Sequence, residues 1–579
     1  MRVPVSTALR RRSALAVAGG LVLAACAPRV PTAEPPARAA SPSPGGHVIF
    51  GTISDARTLN PVLASDNVSD EMWHLLYERL VTADPKTGEI RPRLAESFTV
   101  SPDSKTIMYV LRDGIRWSDG SPITGDDFTF TVEAVMRSQK SPRKSVFQDI
   151  VGAKEYGQGQ ADGIAGITVD GKKIVVQLSK PYCPGVYAIG ANVGILPRAE
   201  FGRYLDPKDA SKNLDDAPEN IAPRLVSGAF RFKEWVPNDH ITLEHNDAFF
   251  LGRPNLDQFV NRVVPNATAL AAALETGEVD VSAALDARDA DALRRVGSLD
   301  VASYLAPGYT FIGWNQLRGR KEFLRSKPLR QALAYGLNMQ QVVASVYFGQ
   351  GQKMVAHTPP ISWAYSADGL NPYDFDPARA QQLIEADGWR KGADGVYARD
   401  GQRLAFEIVT NSGNSAREAL LQVATEQYRQ IGVNVTPRTE SFEALVDRLQ
   451  KSRDATYGDQ GGHDFDAVIL GWSLNPDPDP YAFWHSSQIG SGGFNFVGYK
   501  NAAVDQALDD GRSRCGVNER KDAYRRVNTQ LNEDQPYNFG VASKTILAYA
   551  RSIQGVDQGP WPNRDTGVLW NIEKWAIAR

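Results

Sequence analysis

LAESFTVSPDSKTIMYVLRDGIRWSDGSPITGDDFTFT, residues 94–131, joins strand, turn and helix signals in one short run. Its part TIMYVLRDGIRW, residues 106–117, reads as a β-hairpin around Arg112-Asp113-Gly114, because Asp-Gly suits a tight turn. WSDGSPIT forms a second turn. Thr124 then N-caps a helix whose first turn holds Asp126 and Asp127, carboxylates that the positive helix end favours. Adjacent carboxylates on a helix do not face one another, so this pair makes a poor catalytic couple. Trp117 reads as a core plug, since buried aromatics dominate packing.

The same grammar extends in both directions. EMWHLLYERLVTAD (71–84) reads as an amphipathic helix with Met72, Leu75, Leu76, Arg79 and Leu80 near helical spacing. ITVDGKKIVVQL (167–178) is a second hairpin, turning at Asp170-Gly171. SGAFRFKEWVPNDHITLEHN (227–246) gives two strands joined by Pro-Asn-Asp. ATALAAALETGEVDVSAAL (267–285) reads as helix, a stop at Gly277 and a short strand. YTFIGWN (309–315) is a strand, and PLRQALAYGLNMQQVVASVY (328–347) a long helix opened by Pro328. After the helix DPARAQQLIEADGW (376–389), RLAFEIVT (403–410), EALLQVATEQYRQIGVNVTPR (418–438) and FDAVILGW (465–472) alternate strand, helix, strand and strand. That is α/β grammar.

Bulk properties narrow the function. The chain has 579 residues, 42% hydrophobic and 23% charged, with a formal net charge of −3. So small a charge leaves no polybasic footprint for nucleic acid or an anionic membrane surface. No internal stretch approaches the roughly 18–20 apolar residues of a membrane span. The N-terminus differs: MRVPVSTALRRR carries four arginines, and ALAVAGGLVLAA is an uncharged run of twelve, the layout of a secretory signal over residues 1–25. LAAC resembles a bacterial lipobox, which implies lipidation at Cys26. Residues 26–46, with six prolines in APRVPTAEPPARAASPSPGG, read as an extended leash. A diacylated Cys26 would hold the domain at the outer face of the cytoplasmic membrane, in the cell envelope. Arg11 and Arg12 only weakly suggest twin-arginine export, and the general secretory route fits better. Cys183 and Cys515 lack the spacing of a zinc or redox motif. A long-range disulfide and two unrelated thiols both fit them.

The order of the segments carries a resemblance. Ala95-Glu96-Ser97, Ser101-Pro102-Asp103, Leu111-Arg112-Asp113-Gly114, Trp117, Asp119-Gly120 and the helix start from Thr124 to Phe128 come first. Ser227-Gly228-Ala229-Phe230, Glu234-Trp235, Thr276-Gly277-Glu278-Val279-Asp280, Leu329-Arg330-Gln331-Ala332-Leu333-Ala334-Tyr335 and Asp387-Gly388-Trp389 come next, and FDAVILGW, the Asp-Pro-Asp run and FVGYKNAAVDQAL (496–508) complete the set. In that order, over about residues 47–560, they resemble family 5 extracellular solute-binding proteins, the peptide and nickel receptors of ABC importers. The resemblance implies an α/β, two-lobed periplasmic-binding-protein-like fold, type II and cluster C-like, with an extra domain in the first lobe and a ligand cleft between lobes. It divides the chain into domain I (47–85, 220–308 and 540–579), domain II (86–219) and domain III (309–539). It also implies a monomer that closes on its ligand and docks on a permease with ATPase subunits.

Residue-by-residue matching places Ser65, Asp66 and Asn67, Tyr309 and Phe311, Trp472, Ser473, Leu474 and Asn475, and Tyr537 and Phe539 at the cleft. Peptide receptors of the family often carry an aspartate for the peptide ammonium where this chain has Asn475. Dipeptide receptors tend to carry an arginine near what is here Thr410-Asn411-Ser412. With neither ion present, the resemblance favours oligopeptides or modified peptides over free-ended dipeptides. A nickel chelate, an opine, an oligosaccharide or a ligand-presenting signalling role are the alternatives.

NPDPDPYAFWHSS, residues 475–487, raises the question of metal. In an extended Pro-rich segment, residues two apart point about 240° from one another, so Asp477 and Asp479 do not converge on one ion. Asp479 reads instead as an N-cap with Pro480 as the first helical residue, and His485 as structural. No G-x-S-x-G, H-E-x-x-H, P-loop or G-x-G-x-x-G is present, and the seven histidines are scattered. The reading is a binding protein with no catalytic residues, metal or cofactor.

Overall fold

One long strand, Tyr537–Ala550, organises the fold. Its first half pairs antiparallel with Gly308–Trp314, and its second half pairs with Leu299–Leu305 and Val281–Ser282. It therefore belongs to two halves of a twelve-stranded sheet. On one side lie Asn434–Glu440, Ala405–Asn411, Ala467–Ser473 and Gly308–Trp314; on the other lie Val281–Ser282, His47–Thr52, Gln258–Val263, His240–His245 and Phe230–Val236. The computed structural model describes residues 42–43, 45–205, 212–317, 321–451, 465–489, 493–559 and 567–578. The expected signal segment 1–25, Cys26 and most of the leash lie outside the described residues.

The buried residues divide into lobes. One set of cores uses positions from Val48 to Leu299 and from Leu547 to Trp575. The other uses only positions from Tyr309 to Ala542. Apolar burial is the main driving force of folding, so two sets of cores without shared members make two lobes. Within the first lobe, a four-stranded antiparallel sheet runs in the order Ala95–Val100, Thr106–Leu111, Lys173–Gln177 and Ile167–Asp170. The helix Gly125–Arg137 packs against it. Thr124 is the N-cap of that helix as expected, and Asp127 closes the capping box by accepting a hydrogen bond from Thr124 N–H at 2.9 Å.

Several expectations hold in detail. The Asp170-Gly171 hairpin forms with Gly171 at φ 58°, and Gly277 ends the helix Ala267–Thr276 at φ 77°, a conformation that costs glycine little. Others need correction. Strand Thr106–Leu111 pairs with Ala95–Val100 before it and Lys173–Gln177 beyond, so the hairpin expected around Arg112-Asp113-Gly114 does not form. The turn is there, but its far side keeps only the isolated bridge Arg116–Pro122. The helix expected over 71–84 is Asn67–Leu76, started earlier by the Asp66 cap, and its tail becomes strand Val81–Ala83. The single helix expected over 328–347 is two, Lys327–Tyr335 and Met339–Ser345, because Asn338 caps a new start: its side chain accepts from Gln341 N–H at 2.9 Å. Cys183 and Cys515, for which sequence left two readings, are disulfide-bonded across 332 residues.

Candidate functional site

The strand Ala467–Ser473 ends at the boundary between the lobes, and its end together with the segment just beyond it helps to wall three cavities. Its backbone is seated by Leu474 N–H donating to Pro307 O at 2.7 Å. Gly308 permits this approach, since a Cβ there would lie 2.1 Å from Trp472 O. A cavity of about 430 Å³ is bounded by Glu71, Tyr304 and Leu569 of the first lobe and by Tyr309, Tyr347, Arg417, Trp472 and Ser473 of the second. A second, of about 550 Å³, lies between Ser65, Arg143, Lys180 and Tyr182 on one side and Asn475, Asp479, Phe483 and Arg512 on the other. A third, of about 70 Å³, reaches Ser473, Leu474, Asn475, His357 and Trp363. The two large volumes fall in the range of small-molecule and peptide-side-chain pockets.

The structure thus brings Ser65, Tyr309, Trp472, Ser473, Leu474 and Asn475 onto the cleft walls. Tyr309 is 3% exposed, and its hydroxyl is bonded to His357 Nδ1 at 2.8 Å. Burial pushes His357 down to about 3, so this ring stays neutral beneath the cleft. Three other residues expected at the cleft are core instead. Phe311 stacks on Tyr537 at 3.9 Å between centroids, and Phe539 packs beside Tyr537 and Tyr309, all three at most 2% exposed. On a strand covered on both faces, an aromatic side chain fills the layer below the wall. Asp66 is a helix cap, accepting from Ser69 N–H at 2.9 Å and Ser69 Oγ at 2.7 Å, and Asn67 is exposed on the first turn of the same helix.

The Pro-Asp run is more than a backbone device. Asp477 accepts two hydrogen bonds from Arg520, at 2.6 and 2.8 Å, and Asp479 accepts from Arg512 Nε at 2.7 Å. These ion pairs occupy the carboxylates. Asp479 also accepts from Tyr481 N–H at 3.1 Å, but the helix is a single turn, Tyr481–Trp484, with Pro480 in the capping position rather than inside it. His485 ends that turn, stacked on Tyr481 at 4.2 Å.

Two charged residues of the cleft are not apparent from the sequence. Arg417, on the first turn of helix Ser415–Gln430, donates to Asn411 Oδ1 at 2.7 Å and has no carboxylate partner among the described residues. Burial lowers its pKa. Glu71, on the first-lobe wall of the same cavity, has no ion pair among the described residues either. Burial, and then the neighbouring Asp70 and Asp66, push its carboxyl up to about 8. A cation in the first turn of a helix opposes the helix dipole. That misfit at Arg417 is the signal the sequence offers, shortly after the Thr410-Asn411-Ser412 stretch where an arginine was expected and not found.

The family model described as bacterial extracellular solute-binding proteins, family 5 middle, matches residues 89–495. The oligopeptide-binding protein AppA of Bacillus subtilis is 29% identical over 546 residues, covering 93% of each chain. Its structure, in complex with a nonapeptide, matches with a TM-score of 0.76 over 93% of this chain and all of that one. The oligopeptide-binding protein OppA of Lactococcus lactis is 25% identical, covering 77% of this chain and 76% of its own. NikZ of Campylobacter jejuni, solved with Ni(L-His), shares the fold at 23% identity and a TM-score of 0.75, over 92% of this chain and 99% of its own.

Proposed function

The chain belongs to the family 5 bacterial extracellular solute-binding proteins, and on that premise we propose that it captures oligopeptides between its lobes and delivers them to the permease of an ABC importer. The observation that carries this reading is the cleft itself. Two cavities of about 430 and 550 Å³ flank segment 473–475, and a carboxyl and a guanidinium without ion pairs among the described residues stand on the two lobes. Glu71 offers a carboxyl that an arriving ammonium would draw into its ionised form, and Arg417 offers a guanidinium to a carboxylate. These ions replace the ones missing at Asn475 and near Thr410, so a peptide with free ends fits better than the sequence suggested. Ser473 and Asn475 supply neutral hydrogen bonds to peptide backbone between them.

The binding set is Ser65, Tyr309, Trp472, Ser473, Leu474 and Asn475, with Glu71 and Arg417 added; Phe311, Tyr537 and Phe539 support it from below, and Asp66 and Asn67 position Ser65. The division into domain I (47–85, 220–308, 540–579), domain II (86–219) and domain III (309–539) assigns closure to domain III moving against the other two. The protein acts as a monomeric receptor, not an enzyme, tethered through lipidated Cys26 outside the cytoplasmic membrane.

Titration calorimetry tests this reading. The ligand-stripped chain, its cystine reduced, is titrated with free-ended peptides of graded length and with the same peptides acetylated and amidated. Heat from the free-ended series, weakened when the ends are blocked, is expected. Heat from a metal chelate or sugar and from no peptide would overturn it.

A further inference from the structure

Among the described residues the chain passes between lobes twice, and the two crossings lie side by side. One is the connection between strands Leu299–Leu305 and Gly308–Trp314; the other is the middle of Tyr537–Ala550. Leu305 is paired with Lys544, and Ala306 N–H donates to Ser543 O at 2.9 Å. Two adjacent strands form one axis, about which bodies with separate cores can turn.

The disulfide is a third tie, and it lies off that axis. Cys183 precedes the first-lobe helix Gly185–Ala191, whereas Cys515 joins the second-lobe helices Ala502–Ser513 and Val517–Asp534. The ligand cavities lie between hinge and cystine. The cavity of about 430 Å³ touches the crossing residues Gly308 and Ser543, whereas the one of about 550 Å³ touches Tyr182 and Arg512 beside the cystine. The contact around the bond is specific. Cys183 N–H donates to Arg512 O at 2.8 Å, and the Arg512 guanidinium lies over Tyr182 of the opposite lobe at 5.2 Å. A hinge allows one rotation, and a covalent tie away from its axis removes that rotation. Cys515 is an exposed residue and Cys183 a half-buried one, with Ser104 Oγ 2.9 Å from Cys515 Sγ, so the bond lies near the surface.

We propose that Cys183–Cys515 is a covalent latch across the mouth of the cleft, and that an envelope dithiol opens it by exchange. A thiolate of the dithiol attacks Cys515 Sγ, the Cys183–Cys515 bond breaks, and Cys183 leaves as a thiolate that takes up a proton. The second thiol of the reductant resolves the mixed disulfide and frees the Cys515 thiol. Two electrons and two protons pass to the receptor, and the reductant ends as a disulfide. Reforming the latch requires a disulfide oxidant of the same compartment. The ligand then exchanges only in the reduced form, whatever its chemistry.

Small-angle scattering of the chain stripped of ligand tests the latch with the cystine intact, after dithiothreitol, and in Cys183→Ser/Cys515→Ser. Alkylation with mass measurement counts the free thiols in each sample. The oxidised chain should keep its compact radius, about 25 Å for a globular chain of this length. Reduction and the double serine variant should both enlarge it by a few per cent. Identical scattering before and after reduction overturns the proposal, as does alkylation of both cysteines without reductant. If the double variant does not fold, stepwise reduction of the unaltered chain supplies the comparison. Because ligand is absent, a failure here leaves the peptide assignment standing, and a failure of the peptide titration leaves the latch standing.

Discussion

At the scale of single residues, the cleft is defined by two ionisable groups that form no ion pair among the described residues. Arg417→Met should weaken peptide binding by roughly 2 kcal/mol, about thirtyfold in Kd, because a desolvated guanidinium that meets a carboxylate is replaced by an apolar chain. Its effect on melting should be small, since Arg417 stands in no ion pair among the described residues. Equal binding by Arg417→Met and the unaltered chain would remove the residue from the site. Glu71 makes a pH prediction. Its folded pKa, near 8, lies above the ordinary carboxylate value, so between about 4.5 and 8 the folded state holds a proton that the unfolded state has lost. Glu71 therefore lowers stability progressively as pH rises through that window and has no effect below it. Glu71→Gln should melt higher than the unaltered chain at pH 8 and level with it near pH 4; a constant offset across that range would refute the assignment. Glu71 was not legible in the sequence, and Arg417 was so only through its misfit with the helix dipole. Apolar spacing identifies Glu71 only as part of a helix, and its isolation depends on which groups the opposite lobe brings.

At the scale of elements, the sequence was most legible where local chemistry decides. Asp-Gly at 170–171, Pro-Asn-Asp at 237–239 and Gly277 specify turns and a helix stop without help from the rest of the chain. It was least legible where a long-range partner decides. Thr106–Leu111 has equally good neighbours before and after it, and pairing with Lys173–Gln177 wins over the nearer residues 115–117. The Pro-Asp run shows the same limit: its shape was readable, but the arginines that hold it lie 33 and 43 residues away. Asp477→Ala should lower second-lobe stability by roughly 3 kcal/mol, because Arg520, only 9% exposed along its side chain, would lose its buried counter-ion. A urea midpoint unchanged from that of the intact chain would show the pair to be dispensable. At the hinge, Gly308→Ala should disturb strand Ala467–Ser473, since the added carbon meets Trp472 O, and both melting temperature and peptide binding should fall. Normal binding by that variant would show that the approach can relax.

At the scale of the whole molecule, fold and family were legible because many weak segments recur in one order, which no single segment specifies. The bond between the lobes was not, since Cys183 and Cys515 lie 332 residues apart and only the fold makes them neighbours. Cys26→Ala should release the protein from the membrane fraction, and retention there would contradict lipidation. The central claim is that a peptide lies between Glu71 and Arg417. Native mass spectrometry of the leaderless protein purified from its own host, its cystine intact, tests it most directly. Denaturation under reducing conditions should release a mixture of short peptides, and the masses should disappear from protein carrying both Arg417→Met and Glu71→Gln. A single non-peptide mass, unaffected by those substitutions, would contradict the account.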